Sequence, residues 1–232
     1  MANRDELAVI RNARAGDASA QLALGKLYLK GSASLAQNPV TALHWLDRAA
    51  QNGLDAAWLL IGETIPVEVV WQSEAPQQLA QWYLLAWQAG VKSAGLIYAR
   101  IMLGLDPDLA GSAQRQQALA VLQDVAQAGV APAQWLLAQQ SLLATGGESE
   151  ESSQLWIRRA AEAGVEQAQQ ALMQQAWEQQ DYVAYLRWSV PLAHHLVRQL
   201  QRTNCSADDA QLTLLMRSAQ ALARVESGML EQ

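Results

Sequence analysis

The residues best suited to chemistry in this chain are few and scattered. His194 and His195 are adjacent, so on a helix their side chains diverge by about 100° and do not converge on one ion. No carboxylate stands three or four residues from either, and His44 is far off in sequence. That leaves no zinc ligand set. Asp106-Pro107-Asp108 has the start of a calcium loop without the ligand series or closing glutamate, so a turn is expected there. Cys205 is the single cysteine, which excludes an intramolecular disulfide and a cysteine-only zinc site. Beside Asn204 and Ser206 it is expected to be exposed and oxidisable, which alone does not make a catalytic thiol. The sequence has no glycine-rich phosphate loop, no nucleophile elbow and no His-Glu-x-x-His. The expectation is a protein with no catalytic residue, no metal and no cofactor. A site assembled from residues distant in sequence is the enzyme alternative.

Composition narrows the partners. Of the 232 residues, 51% are apolar, so a sizeable core is available, while the net charge of −6 comes from interspersed acids and bases. A nucleic-acid surface would need a basic stripe, and none is visible. No apolar run approaches the roughly 18 residues of a membrane span. The start, Met-Ala-Asn-Arg-Asp-Glu, lacks the apolar core of a secretory signal. If Met1 is the natural start, this predicts a cytoplasmic protein. Phenylalanine is absent and there are nine tryptophans, so indoles supply the bulky aromatic packing.

The elements that would hold any site are set by a recurring phrase. It ends at Gly16, Gly53, Gly90, Gly129 and Gly164, spaced 37, 37, 39 and 35 residues apart. Four positions after each glycine stands Ala20, Ala57, Ala94, Ala133 or Ala168. Eight before stand Trp45, Trp82 and Trp156, with Val121 in the remaining repeat, and fourteen before stand Pro39 and Pro76. A fixed period of this length signals stacked supersecondary units, none able to bury its apolar face alone. The glycines read as left-handed helix ends.

A capping helix, Asp5 to Ala15, is expected within residues 1–16. Repeats follow at 17–53, 54–90, 91–129 and 130–164, and a degenerate repeat with a C-terminal cap fills 165–232, all in a single repeat domain. In the first repeat, helix A covers about Ala18 to Lys30, and Asn38-Pro39 opens helix B with an N-cap and a proline at N1. In the second, Ile65 to Trp71 is β-branched and proline-interrupted, so helix A should stop near Thr64. Its loop is unusually apolar for an exposed connection. The third repeat has its loop at Gly104 to Gly111. The fourth has Gly146-Gly147 and then an acidic run, Glu148 to Glu151, which suits a helix N-terminus. Beyond Gly164, Asp181 can cap a helix carrying Trp188, which Pro191 should break or kink. Ser206-Ala-Asp-Asp is expected to open a last helix to about Glu226.

Ala20-x-x-x-Leu24-Gly25-x-x-Tyr28-x-x-Gly31, followed by Pro39-Val-x-Ala42-x-x-Trp45-x-x-x-Ala49-Ala50-x-x-Gly53, resembles the Sel-one-like repeat, a relative of the tetratricopeptide repeat. The match is close in the first unit, looser in the next three, and covers about residues 5 to 190. Tyr28 gives way to Ile65, Met102 and Ser141, and Trp87 occupies a normally small site. The cysteine pairs of the secreted branch are lacking. The resemblance implies an all-α, right-handed superhelical solenoid of antiparallel helix pairs. It also implies an adaptor role, commonly in bacterial signalling, secretion or envelope assembly.

In such a stack the A helices line the concave side. Rotating helix A by 100° per residue gathers positions five, eight, nine and twelve after the glycine on one face, which the resemblance assigns to the core. In the first unit these are Gln21, Leu24, Gly25 and Tyr28, and by the same count Trp58 belongs to the core. The opposite face gives an apolar stripe at position six, from Leu22, Leu59, Leu96 and Trp135. Position ten gives Lys26, Glu63, Arg100 and Gln139. Position thirteen gives Leu29, Pro66, Leu103, Leu142 and Trp177. An apolar stripe beside a polar row suits a helix-in-groove partner, although neighbouring A helices burying these leucines would account for them too. The partner is therefore expected to be a protein or peptide segment. Self-association through the Val67–Trp71 loop or an exposed solenoid end, giving a homo-oligomer, is the second reading.

Overall fold

The computed structural model describes residues 4–105, 112–143, 148–203 and 206–230. Among them every regular element is a helix and there is no strand, as the period predicts. The chain divides into two compact units, Met1–Ala133 and Gln134–Gln232. The first unit holds α1 (Arg4–Arg14), α2 (Ala18–Lys30), α3 (Pro39–Gln51), α4 (Asp55–Thr64) and the one-turn α5 (Val67–Val70). It continues with α6 (Pro76–Gln88), α7 (Lys92–Gly104) and α8 (Ser112–Gln127). α9 (Ala131–Leu143) spans the division, and α10 (Glu148–Glu162), α11 (Glu166–Glu178), α12 (Tyr182–Thr203) and α13 (Asp209–Leu230) complete the second unit. Each expected repeat thus contains its A and B helices.

The phrase glycines end helices by one repeated device. Gly16, Gly53, Gly90, Gly129 and Gly164 all have φ between 81° and 101°. The amide after the glycine returns to a carbonyl five residues back: Leu54 to Ala49 at 3.1 Å, Val91 to Ala86 at 3.0 Å and Val165 to Ala160 at 2.9 Å. This is the Schellman arrangement, which satisfies carbonyls orphaned at the helix end. At the other ends, Asn38 Oδ1 accepts from the Thr41 amide at 3.0 Å ahead of Pro39, and Asp17 Oδ1 accepts from Ala20 at 2.6 Å.

Close packing follows from small residues at fixed repeat positions. Ala57, Ala94, Ala133 and Ala168 are fully buried. On the core face of helix A, Gln21 is buried and donates from Nε2 to the Ala13 carbonyl of the preceding helix at 3.3 Å. Gln169, at the same repeat position, donates likewise to Ala161 at 3.0 Å. In the third unit that position is Gly95, and a Cβ there would stand 2.5 Å from Trp87 Cδ1. The indole at the normally small site is therefore accommodated by the missing side chain opposite. Trp82 is buried and donates to Asp47 Oδ1 at 2.7 Å. Trp45 and Trp156, at its repeat position, are half-buried, with Arg48 and Arg159 over their rings at 5.5 and 4.9 Å.

Four local features differ from or refine the sequence reading. α4 stops at Thr64 as expected, but the apolar loop after it is not an exposed surface. Ile65, Val67 and Val70 are fully buried and Val69 nearly so, leaving Trp71 exposed above Gly104. α12 runs unbroken through Pro191. The proline is solvent-exposed, while Tyr185, Ala193 and Leu196 are buried on either side of it along the helix. The capping box of α13 begins at Asp208, not Ser206: Asp208 Oδ1 accepts from the Gln211 amide at 2.8 Å and Gln211 Oε1 accepts from the Asp208 amide at 3.1 Å. α13 also continues past Glu226. The Asp106-Pro107-Asp108 turn, Cys205, Gly146-Gly147 and most of the Gly104–Gly111 loop lie outside the described residues.

Candidate functional site

In the first unit, α2, α4 and α7 are the A helices. Leu22, Leu59 and Leu96 are half-buried on them, as are Leu29 and Leu103. Lys26, Glu63 and Arg100 are exposed. Half-burial is what a row of leucines shows when neighbouring helices cover its flanks and leave its crest to solvent. Arg100 reaches Glu68 of α5 at 3.3 Å, an ion pair with both partners well exposed. Such a pair contributes little to stability, on the order of 0–1 kcal/mol. That link joins residues 32 positions apart.

In the second unit, Trp135 is half-buried and packs against the cluster of Ala138, Ile157, Ala160 and Leu172, while Gln139 is exposed. Trp177 is also half-buried, with its ring edge-on to Tyr182 at 5.8 Å and Tyr185 at 5.3 Å. Arg217 of α13 lies 5.1 Å over the Trp177 ring and donates to Gln174 Oε1 at 3.3 Å. α13 therefore returns over the open face of α11, which the sequence reading missed. A cavity of about 470 Å³ lies among α11, α12 and α13. Tyr185 at its edge has its pKa raised by burial, opposed by Ser218 and the Arg217 charge. The available signal was the spacing of Leu214, Arg217 and Ala221 on one face of α13.

Among the described residues no group of three or more His, Cys, Asp or Glu is arranged to hold a metal. No helix among them is long and apolar enough to cross a membrane. His195 lines the cavity of the second unit, and His44 stacks edge-on to Trp45 at 5.3 Å.

Comparison with solved structures places the fold. A protective antigen present in uropathogenic Escherichia coli strains, displaying an SLR fold, aligns with 94% of this chain at a TM-score of 0.53 and 21% identity. A Sel1 repeat protein from Oxalobacter formigenes aligns with 72% at a TM-score of 0.47 and 26% identity. The chain spans 48% of the first and 65% of the second. No family model and no curated protein matches it. The class is thus an all-α helical-repeat solenoid. More narrowly, the fold is that of the Sel-one-like repeat, to which the residues from Ala20 to Gly53 bear the same resemblance.

Proposed function

We propose that this chain is a non-enzymatic adaptor that binds a protein or peptide segment along its A-helix faces. The observation that carries the reading is the row of half-buried Leu22, Leu59 and Leu96 beside exposed Lys26, Glu63 and Arg100. Trp135, Gln139 and Trp177 hold the corresponding repeat positions in the second unit. The repeat neighbours support a protein-interaction scaffold. A setting in bacterial signalling, secretion or envelope assembly rests on the resemblance alone. A partner helix with an apolar face and a nearby carboxylate matches the leucines and Arg100.

The test is co-purification from the native host with identification of the bound proteins, repeated with Leu59→Glu/Leu96→Glu. We expect the double variant to melt close to wild type and to bind its partner about 100-fold more weakly, as loss of interface anchors does. Equal retention by both proteins would refute the groove.

One observation favours a second reading, self-association. Leu212 and Met216 are 45% and 71% exposed and lie one turn apart on one face of α13. If a second copy covers them, sedimentation should show a dimer that Met216→Lys returns to monomer. A concentration-independent monomer would discard this reading.

A further inference from the structure

α5 and the turn after it build a cleft beside α3. In the first repeat, residues 31–38 join α2 to α3 without a helix. In the second, α5 packs against α3, and residues 72–75 then lead into α6. The cleft so formed has a volume of about 460 Å³, in the range of ligand sites. Val40, Leu43, His44 and Asp47 enter it from α3 at i, i+3, i+4 and i+7, which is one helix face. Leu43, Val69 and Leu79 are buried and form an aliphatic floor, while Val40 stands 42% exposed at the rim.

The lining carries Asp47 and Glu74 and no lysine or arginine. Asp47 is half-buried and held from two sides. Trp82 Nε1 donates to its Oδ1 at 2.7 Å and Gln51 Nε2 to its Oδ2 at 2.8 Å. Both donors are neutral, so the carboxylate is positioned without its charge being balanced. Glu74 is exposed, and neither acid is in an ion pair among the described residues. The nearby bases are engaged or outside the lining. Arg48 lies over the Trp45 ring at 5.5 Å, and Arg100 is paired with Glu68 at 3.3 Å. Arg115 follows the Gln114 that Gln77 meets at 3.4 Å, and it does not line the cleft. Residues 49–91 contain no lysine, arginine or histidine, but do contain Asp55, Glu63, Glu68 and Glu74.

We infer that this cleft takes a lysine or arginine side chain presented by a protein partner, its aliphatic stem over Val40, Leu43 and Leu79 and its charge toward Asp47 and Glu74. Long basic side chains bury their methylenes on apolar surface while the charged head keeps polar company. Acids lining a concave, partly apolar wall concentrate cations there. A neutral residue of the same length gains only the apolar contact, and an acid is repelled. The cleft lies on the B helices α3 and α6, so its residues are distinct from the leucine row of the A helices. That the base arrives on a protein segment rests on the adaptor reading; the preference for a base rests on the cleft alone.

Three peptides test it: acetyl-Ser-Leu-Lys-Leu-Ser-amide and its analogues with Nε-acetyl-lysine or glutamate at the centre. Each is titrated into the full chain at about pH 8, where imidazoles are ordinarily neutral and His44 adds no charge of its own. The indole N–H resonance of Trp82 reports the site, because that proton is bonded to Asp47. The lysine peptide should shift it saturably and bind about fivefold more tightly than the acetyl-lysine peptide, which keeps the stem and loses the charge. That factor is the scale of one partly solvated charge contact. The glutamate peptide should bind most weakly, and raising the salt concentration should narrow all three differences. Glu74→Lys, a change at an exposed position, should erase the preference for lysine without lowering the melting temperature. Lysine and acetyl-lysine peptides bound alike by wild type, a lysine preference that survives Glu74→Lys, or a Trp82 signal that no peptide moves would overturn the inference. If that happens while Leu59→Glu/Leu96→Glu releases the native partner, the cleft falls and the adaptor reading stands. A lysine preference beside a native partner that wild type and double variant retain equally gives the reverse.

Discussion

Tyr83→Ala is expected to destabilise the first unit by about 4 kcal/mol, the middle of the range for removing a buried aromatic ring. Tyr83 lies on α6 with no solvent exposure, and its hydroxyl donates to the Ile65 carbonyl at 2.9 Å. Ile65 follows the last residue of α4, so its carbonyl has no helical amide to accept from. One side chain therefore fills the core and satisfies the backbone where the chain turns into α5. Tyr83→Phe separates the two roles: the ring stays, the carbonyl loses its donor, and the cost should be about 1–2 kcal/mol. Burial, with the Glu68 charge second, raises the Tyr83 pKa well above its ordinary 10.0. The folded protein thus keeps the hydroxyl protonated where the unfolded chain has lost its proton. Stability from this group is full below the ordinary tyrosine value and falls as pH rises beyond it. Denaturant melts between pH 8 and about 11 should show a declining midpoint in wild type and a flatter one in Tyr83→Phe. Parallel curves would mean that Tyr83 does not ionise with unfolding.

The repeat units were legible because their signals are local. The phrase glycines, Asn38-Pro39 and the stop at Thr64 act within one turn of chain, and α2 and α3 fall where they say. The core face of helix A was legible from rotation together with the motif: Leu24, Ile61, Tyr98 and Met102 are buried, while Tyr28 and Trp58 on the same face are half-buried. Trp87 was legible only as an oddity, since the space it fills is made by Gly95, eight residues on in the next helix. What stayed hidden depends on contacts between distant segments. The Val67–Trp71 stretch is apolar because Val67, Val69 and Val70 are core residues, with only Trp71 among its apolar side chains left exposed. Pro191 argued for a break, yet buried neighbours on both sides carry α12 through it. Arg217 meets α11 across 43 residues of chain, and no periodicity encodes where a C-terminal helix folds back. Arg100 is exposed, and its carboxylate partner Glu68 sits in α5, a one-turn helix with no repeat counterpart.

Gly62→Ala is expected to cost about 3 kcal/mol, which is at the high end for overpacking a close-packed interior. Its position recurs as Gly25, Ala99 and Ala138, so the motif by itself permits an alanine. The structure does not. A Cβ on Gly62 would stand 2.3 Å from the Ala86 Cβ and 3.3 Å from the Ala94 Cβ. Both neighbours are single carbons fixed to helix backbones, so no rotamer change relieves the contact, and α4 must move from α6 or α7. At Gly95 the obstacle to a Cβ is instead side-chain atoms of Trp87 and Val125, at 2.5 and 2.7 Å, and an indole has some freedom to yield. Gly62→Ala should therefore be the costlier of the two. The second-site change Ala86→Gly removes the atom in the way, so Gly62→Ala/Ala86→Gly should recover much of the lost stability. It should remain below wild type by about 1 kcal/mol for glycine inside α6. Denaturant midpoints for the two singles and the double form a cycle whose coupling should be about 3 kcal/mol and favourable. Additive effects would show that α4 and α6 are not held at the separation that the close approach of Gly62 to Ala86 implies. Ala94 of α7 borders the same glycine, so a shift of α4 is expected to disturb the placement of Leu59 against Leu96. A Gly62→Ala protein that still folds should thus bind its partner more weakly, and the Ala86→Gly change should restore affinity together with stability.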